Sequence, residues 1–233
     1  MNGTNSESLR PHQSTLILAA VVSIVLWLVP YFGWLLLPLV YLNTHIHEMC
    51  HALLAVGTGG QVEYIRVFSS GGGVTPVTGG NLTLISTAGY IGATIIGGLM
   101  IWFSRSEKGA ATLLRVLAVL LVISLLLWVR GDLVGLLSSV FWIVALLAIP
   151  SLVKGSRLVF AAQFLGIQQC VNSIQGLYVL LKISAYGGPD SDATNMANYT
   201  GIPALFWALL WGAIGLGVLW VTLRSAWRSR PNP

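Results

Sequence analysis

Residues 44–60 read THIHEMCHALLAVGTGG, a stretch that holds three of the chain's four histidines and one of its seven acids inside an otherwise apolar helical pattern. The surrounding chain is greasy. Of its 233 residues 55% are hydrophobic and only 8% are charged, and the mean hydropathy is +0.81. Soluble domains carry roughly 25% charged residues, so this composition belongs to a polytopic membrane protein. Ionisable side chains at membrane depth are costly and are kept where a site needs them, which makes 44–60 the place to look for chemistry.

Working outward, a membrane-crossing helix needs about 20 mostly apolar residues. Apolar runs predict spans near 14–32, 35–57, 82–103, 111–129, 133–150, 158–182 and 203–223. The first lacks a cleavage site after its apolar core and reads as a retained span rather than a signal peptide. Residues 58–80, TGGQVEYIRVFSSGGGVTPVTGG, break the pattern. Their glycines and the alternation Val62, Tyr64, Arg66, Phe68 predict a hairpin or re-entrant loop. The expected fold is therefore all-α: a polytopic membrane helix bundle of about seven spans, with a short Gly-rich hairpin or re-entrant loop after the motif helix. Residues 1–13 read as a polar N-terminal tail, 14–223 as one membrane-embedded domain and 224–233 as a basic C-terminal tail.

Charge distribution orients this bundle. Seven spans put loops 58–80, 130–132 and 183–202 on the face of the N-terminus, with Arg10, Arg66, Arg130 and Lys182. The opposite face receives Arg105, Lys108, Lys154, Arg157, Arg224, Arg228 and Arg230, and the positive-inside rule places it, with the C-terminus, in the cytoplasm. The net charge of +5 is spread singly over helix ends, a pattern that does not signal nucleic-acid binding. Cys50 and Cys170 fall in apolar segments and read as small buried hydrophobes, not a disulfide.

His47-Glu48-Met49-Cys50-His51 fits the pattern H-E-x-x-H. Residues four apart on an α-helix are offset by about 40°, so the two imidazoles project side by side and can reach one Zn²⁺ at about 2.0–2.1 Å. Glu48 lies on the same broad arc, suited to act as general base on a water at that ion. A catalytic zinc site takes three protein ligands, and the acids available for the third are few. His12 and Glu7 lie in the N-terminal tail, Glu107 on the opposite face, and Asp132 in a tight turn beside Arg130. His45 is rotated by about 160° from His47 and faces away. Glu63 remains possible but is close in sequence to the motif. Asp190 and Asp192, in GGPDSDATNMANYTGIP, share the face of the motif helix's end. Asp190 follows Pro189 and suits a turn or helix N-cap, a role Ser191 can share, so Asp192 is the expected third ligand and Asp190 the alternative.

The zinc motif near a helix end, the TGG after it, the glycine-rich segment, LISTAGYIGATIIGG (84–98) and SDATNMANYTGIPALFWALLW (191–211) together resemble the site-2 protease-type intramembrane zinc metalloproteases. The compact bacterial branch without a PDZ insert is the most similar, and the likeness runs from about residue 40 to 222. It implies one zinc ion per chain, an acidic ligand mapping to Asp192, a membrane-anchored polypeptide as substrate and a bacterial plasma-membrane location. One departure stands out: no Leu-Asp-Gly tripeptide is present, and no Asn-Pro element precedes either acid.

On the span 158–182, Gln168, Asn172 and Gln175 recur at helical spacing. Such amides tie helices together, or, for Asn172, contact a substrate strand or its carbonyl oxygen. GYIGATIIGG reads as small-residue packing. The function expected from these features is hydrolysis of peptide bonds in membrane-anchored proteins. The rival is a non-proteolytic metal-binding membrane protein or transporter, and a transporter needs polar residues continuing across several spans.

Overall fold

The computed structural model describes residues 9–28, 33–186 and 191–228, with the side chains of residues 33–34 and 172–186 left aside. In chain order it contains α1 (Pro11–Leu28), α2 (Gly33–Gly57), four short strands, α3 (Leu82–Phe103), α4 (Glu107–Leu127), α5 (Leu133–Leu152), α6 (Gly155–Tyr186), α7 (Asp192–Thr200) and α8 (Ala204–Arg228). Helix starts follow local chemistry. Asn81, Ser106, Asp132 and Ser191 each cap a helix by accepting a backbone N–H three residues on. Pro11 opens α1, where a missing N–H costs nothing.

Five helices, α1, α3, α4, α5 and α8, are long and apolar enough to cross a membrane. The chain is an integral membrane protein built mostly of helix. The two other long helices, α2 and α6, carry three of the histidines and the amides Gln168, Asn172 and Gln175. Large apolar side chains such as Leu126, Leu137, Val144 and Trp220 point outward, as lipid-facing surfaces require. Helix association in lipid rests on close packing and interhelical hydrogen bonds, not on apolar burial. α3 sits against α2, α6 and α8, and its backbone meets α6 so closely that a Cβ on Gly97 would lie 2.8 Å from the Gly166 oxygen. Gln168 accepts from Trp27 Nε1 at 2.9 Å, tying α6 to α1.

Several boundaries differ from expectation. His12 lies buried in the first turn of α1, not in a tail, and Arg224 and Arg228 belong to α8, which runs past 223. The expected loop 183–202 contains α7, held by its Ser191 cap and by Ala193 and Met196 packing on Ala208 and Trp211. Asp132 is the N-cap of α5, and its carboxylate also accepts from Val67 N at 3.3 Å.

In the glycine-rich segment, β1 (Gln61–Val62) pairs antiparallel with β4 (Val77–Thr78), and β2 (Arg66–Val67) with β3 (Gly73–Val74). The alternating run expected over 62–68 is broken between these ladders. There Ile65 pairs instead with Val129 and buries its side chain with Ala52 and Val129. Residues 69–75 then fold back onto α2. Tyr41 Oη donates to Ser69 O at 3.1 Å, and Thr44 Oγ1 to Gly71 O at 2.6 Å. At 1.5 Å per residue, Tyr41 lies about 24 Å back from the end of α2, so the segment returns deep into the bundle.

Candidate metal centre

α2 presents His47 and His51 one turn apart, as their spacing requires. Across from them stands Asp192, the first residue of α7, held in place by the cluster of Met196, Ala208 and Trp211 with Tyr90 against it. Asp192 Oδ2 lies 3.1 Å from His47 Nε2 and 3.3 Å from His51 Nε2, and one ligand atom from each residue lies within 4.8 Å of the others. Ligand atoms around a tetrahedral Zn²⁺ with bonds of about 2.0–2.1 Å are about 3.3 Å apart, so the spacing fits the ion.

The surroundings fit it as well. His51 Nδ1 faces the Ile85 carbonyl at 2.6 Å; donating its proton there leaves Nε2 as the lone pair aimed at Asp192. Tyr90 packs edge-on against the His47 ring, with centroids 4.7 Å apart. Opposite the imidazoles the α3 backbone is bare: a Cβ on Gly89 would land on Nε2 of both His47 and His51. Glycine at 89 keeps open the space beside the two donor atoms.

Glu48 is 5% exposed and sits between α2 and the returning segment. Thr75 Oγ1 donates to Glu48 Oε2 at 2.7 Å, and a Cβ on Gly73 would come within 2.7 Å of Glu48 Oε1. A cavity of about 550 Å³ joins His47, Glu48, His51 and Asp192 to Asn43, residues 70–75, Tyr90 and Asn195. Asn43, one turn before His47, turns its Oδ1 into buried surroundings with no hydrogen-bond partner among the described residues.

The chain's residues 17–222 match the family model described as Peptidase M50B-like. The chain belongs to that family. It is the site-2 protease type, a family of membrane zinc metalloproteases. No curated protein and no solved structure matches the chain.

Set against the sequence reading, the structure brings His47, His51 and Asp192 together and places Glu48 beside them. His45 faces away, bonded to Ser138 and Ser139 of α5 at 2.8 and 3.2 Å. Glu63 is exposed and outside the group. Asp190 and the side chain of Asn172 lie outside the described residues. Cys50 and Cys170 are both free and buried. Sequence reasoning passed over Thr75 and Asn43, and read Gly89 and Tyr90 only as part of the packing stretch GYIGATIIGG. Only Asn43 carried a signal, its spacing of four from His47.

Proposed function

We propose that the chain is an intramembrane zinc metalloprotease that hydrolyses peptide bonds of membrane-anchored proteins. The observation that carries this reading is the convergence of two imidazoles and one carboxylate beside a buried glutamate, on a cavity of about 550 Å³. His47, His51 and Asp192 hold the ion. When bound, Zn²⁺ supplies Lewis acidity that polarises the scissile carbonyl and acidifies the attacking water. Glu48 takes the proton of that water and later delivers it to the leaving amine. Thr75 holds Oε2 of Glu48, leaving Oε1 to carry the proton.

The substrate is a membrane-anchored polypeptide whose helix unwinds locally to bare a peptide bond. β3, which pairs with β2 on one edge and lines the cavity through Gly73 and Val74, offers main-chain groups to such a strand. The same reading takes α1 to α6 and α8 as seven spans of a bacterial plasma-membrane protein with a cytoplasmic C-terminus.

Zinc analysis of detergent-purified protein tests the ligand set: one equivalent in wild type, lost in His47→Ala and in Asp192→Ala. Glu48→Gln is expected to keep the zinc and abolish cleavage of a membrane-anchored reporter. Cleavage retained by Glu48→Gln removes Glu48 as the base, and a folded wild type that takes up no zinc removes the protease reading.

A further inference from the structure

Far from the metal centre in sequence, between the first turns of α4, the end of α5 and the start of α6, lies a second cavity of about 500 Å³. Glu107, Lys108, Ala111, Thr112 and Arg115 of α4 form one wall, and Pro150, Lys154 and Leu158 the other. On α4, Lys108 and Arg115 are seven residues apart and so share a face. Three cations line the cavity against one acid. No described acid lies within ion-pair distance of any of them, since the ion pairs among the described residues join only His47 and His51 to Asp192.

Arg115 is the telling member. It stands about 12 Å along α4 from Glu107, inside a helix apolar enough to span the membrane and with no other charge beyond its first turn. A cation at that depth calls for an anion. Lys154 approaches from the opposite wall, with Nζ 2.7 Å from the Pro150 carbonyl oxygen, which fixes the ammonium at the cavity rim. The floor is apolar, made by Ala111, Pro150 and Leu158. On the same helices, Leu152 of α5 is 81% exposed and Val116 of α4 48%, surfaces that acyl chains cover.

We propose that this cavity seats the phosphodiester headgroup of an anionic phospholipid, with Lys108, Arg115 and Lys154 as its cationic partners. Basic pockets between membrane helices are suited to anionic headgroups because low dielectric strengthens the pairing and the acyl chains stay in lipid. A soluble phosphate would satisfy the same charges but brings no acyl chains to cover the exposed apolar side chains of α4 next to Arg115, such as Val116 and Val119. Bound lipid braces α4 against the α5–α6 corner, independently of what the metal centre does.

Native mass spectrometry of the full-length protein in detergent tests this, with phosphatidylglycerol compared with phosphatidylcholine of the same acyl chains. Wild type is expected to retain phosphatidylglycerol, and the triple variant Lys108→Gln, Arg115→Gln, Lys154→Gln to bind it about a hundredfold more weakly, at roughly a factor of five per cation removed. Arg224→Gln with Arg228→Gln, cations at the end of α8, is expected to leave binding unchanged. If the triple variant does not fold, Arg115→Gln alone is expected to weaken binding and Arg115→Lys to restore most of it. Equal retention by wild type and triple variant, or an equal loss in the α8 variant, overturns the site. Binding of inorganic phosphate that displaces the lipid at millimolar concentration overturns the lipid as its occupant.

Discussion

α2 carries two kinds of buried histidine, and the contrast between them separates chemistry from packing. His45 is 1% exposed and His51 is 5% exposed, so burial does not tell them apart. Their neighbours do. His45 fits between Ser138 and Ser139, hydroxyls that can donate or accept and so satisfy either ring nitrogen. The Nε2 atoms of His47 and His51 meet a single carboxylate oxygen and a glycine that yields its side-chain space. One face of the helix closes its polar groups against α5; the other holds three electron-pair donors convergent on a cavity, an arrangement that a cation completes.

Substitutions can break or sharpen this contrast. The largest effect is expected on the cavity face: His51→Ala lowers zinc affinity by at least about a hundredfold and ends cleavage, because two ligands cannot close a tetrahedral site. Metal analysis of the purified variant checks it, and zinc retained at wild-type affinity would dissolve the distinction between the two faces. Gly89→Ala, which touches no ligand chemically, is expected to weaken zinc binding about 10- to 100-fold by pushing a methyl group into the space beside both Nε2 atoms. A zinc titration monitored by competition with a chromogenic chelator reads the change. Wild-type affinity would mean that α3 shifts freely and that the glycine serves packing alone.

A smaller effect follows at the base. Thr75→Val removes the hydroxyl that holds Glu48 Oε2 while keeping its volume, and a hydrogen bond to a charged group is worth about 1.5–3 kcal/mol. Turnover of a reporter that wild type cuts and Glu48→Gln does not is expected to fall about tenfold or more, with zinc content unchanged and Thr75→Ser close to wild type. Equal impairment of the valine and serine variants would assign Thr75 to packing. On the opposite face, His45→Ala is expected to keep its zinc and lose only stability, about 1–3 kcal/mol, chiefly for the stranded Ser139 since Ser138 still donates to the Val134 carbonyl, read as a lower melting temperature in detergent. Loss of zinc from His45→Ala would couple the two faces.

Much of the site was legible because the chain is so poor in polar residues. With four histidines and seven acids, candidates could be examined one by one, and the 3.6-residue repeat alone put His47 beside His51 and turned His45 away. Asp192 was singled out by its face and by the turn chemistry of its neighbours, and Ser191 does cap α7. Less could be read of the glycine-rich segment. Its alternation suggested one continuous run, whereas the burial of Ile65 against Ala52 and Val129, a contact with the α4–α5 connection, interrupts the ladder. The helix α7 hid for a similar reason: nine residues of low apolar content become helical where Ala193 and Met196 find α8.

The sequence by itself determined the membrane class, most of the long helices and the paired histidines, because these depend on composition and on periodicity within one helix. Tertiary structure decided which oxygen meets both imidazoles, which hydroxyl holds Glu48 and which glycine clears the space beside the donors. Those contacts join residues 27 to 145 positions apart, Thr75 with Glu48 and His47 with Asp192 among them. No local rule reaches over such separations: they are fixed by how α3, α7 and the returning segment pack around α2.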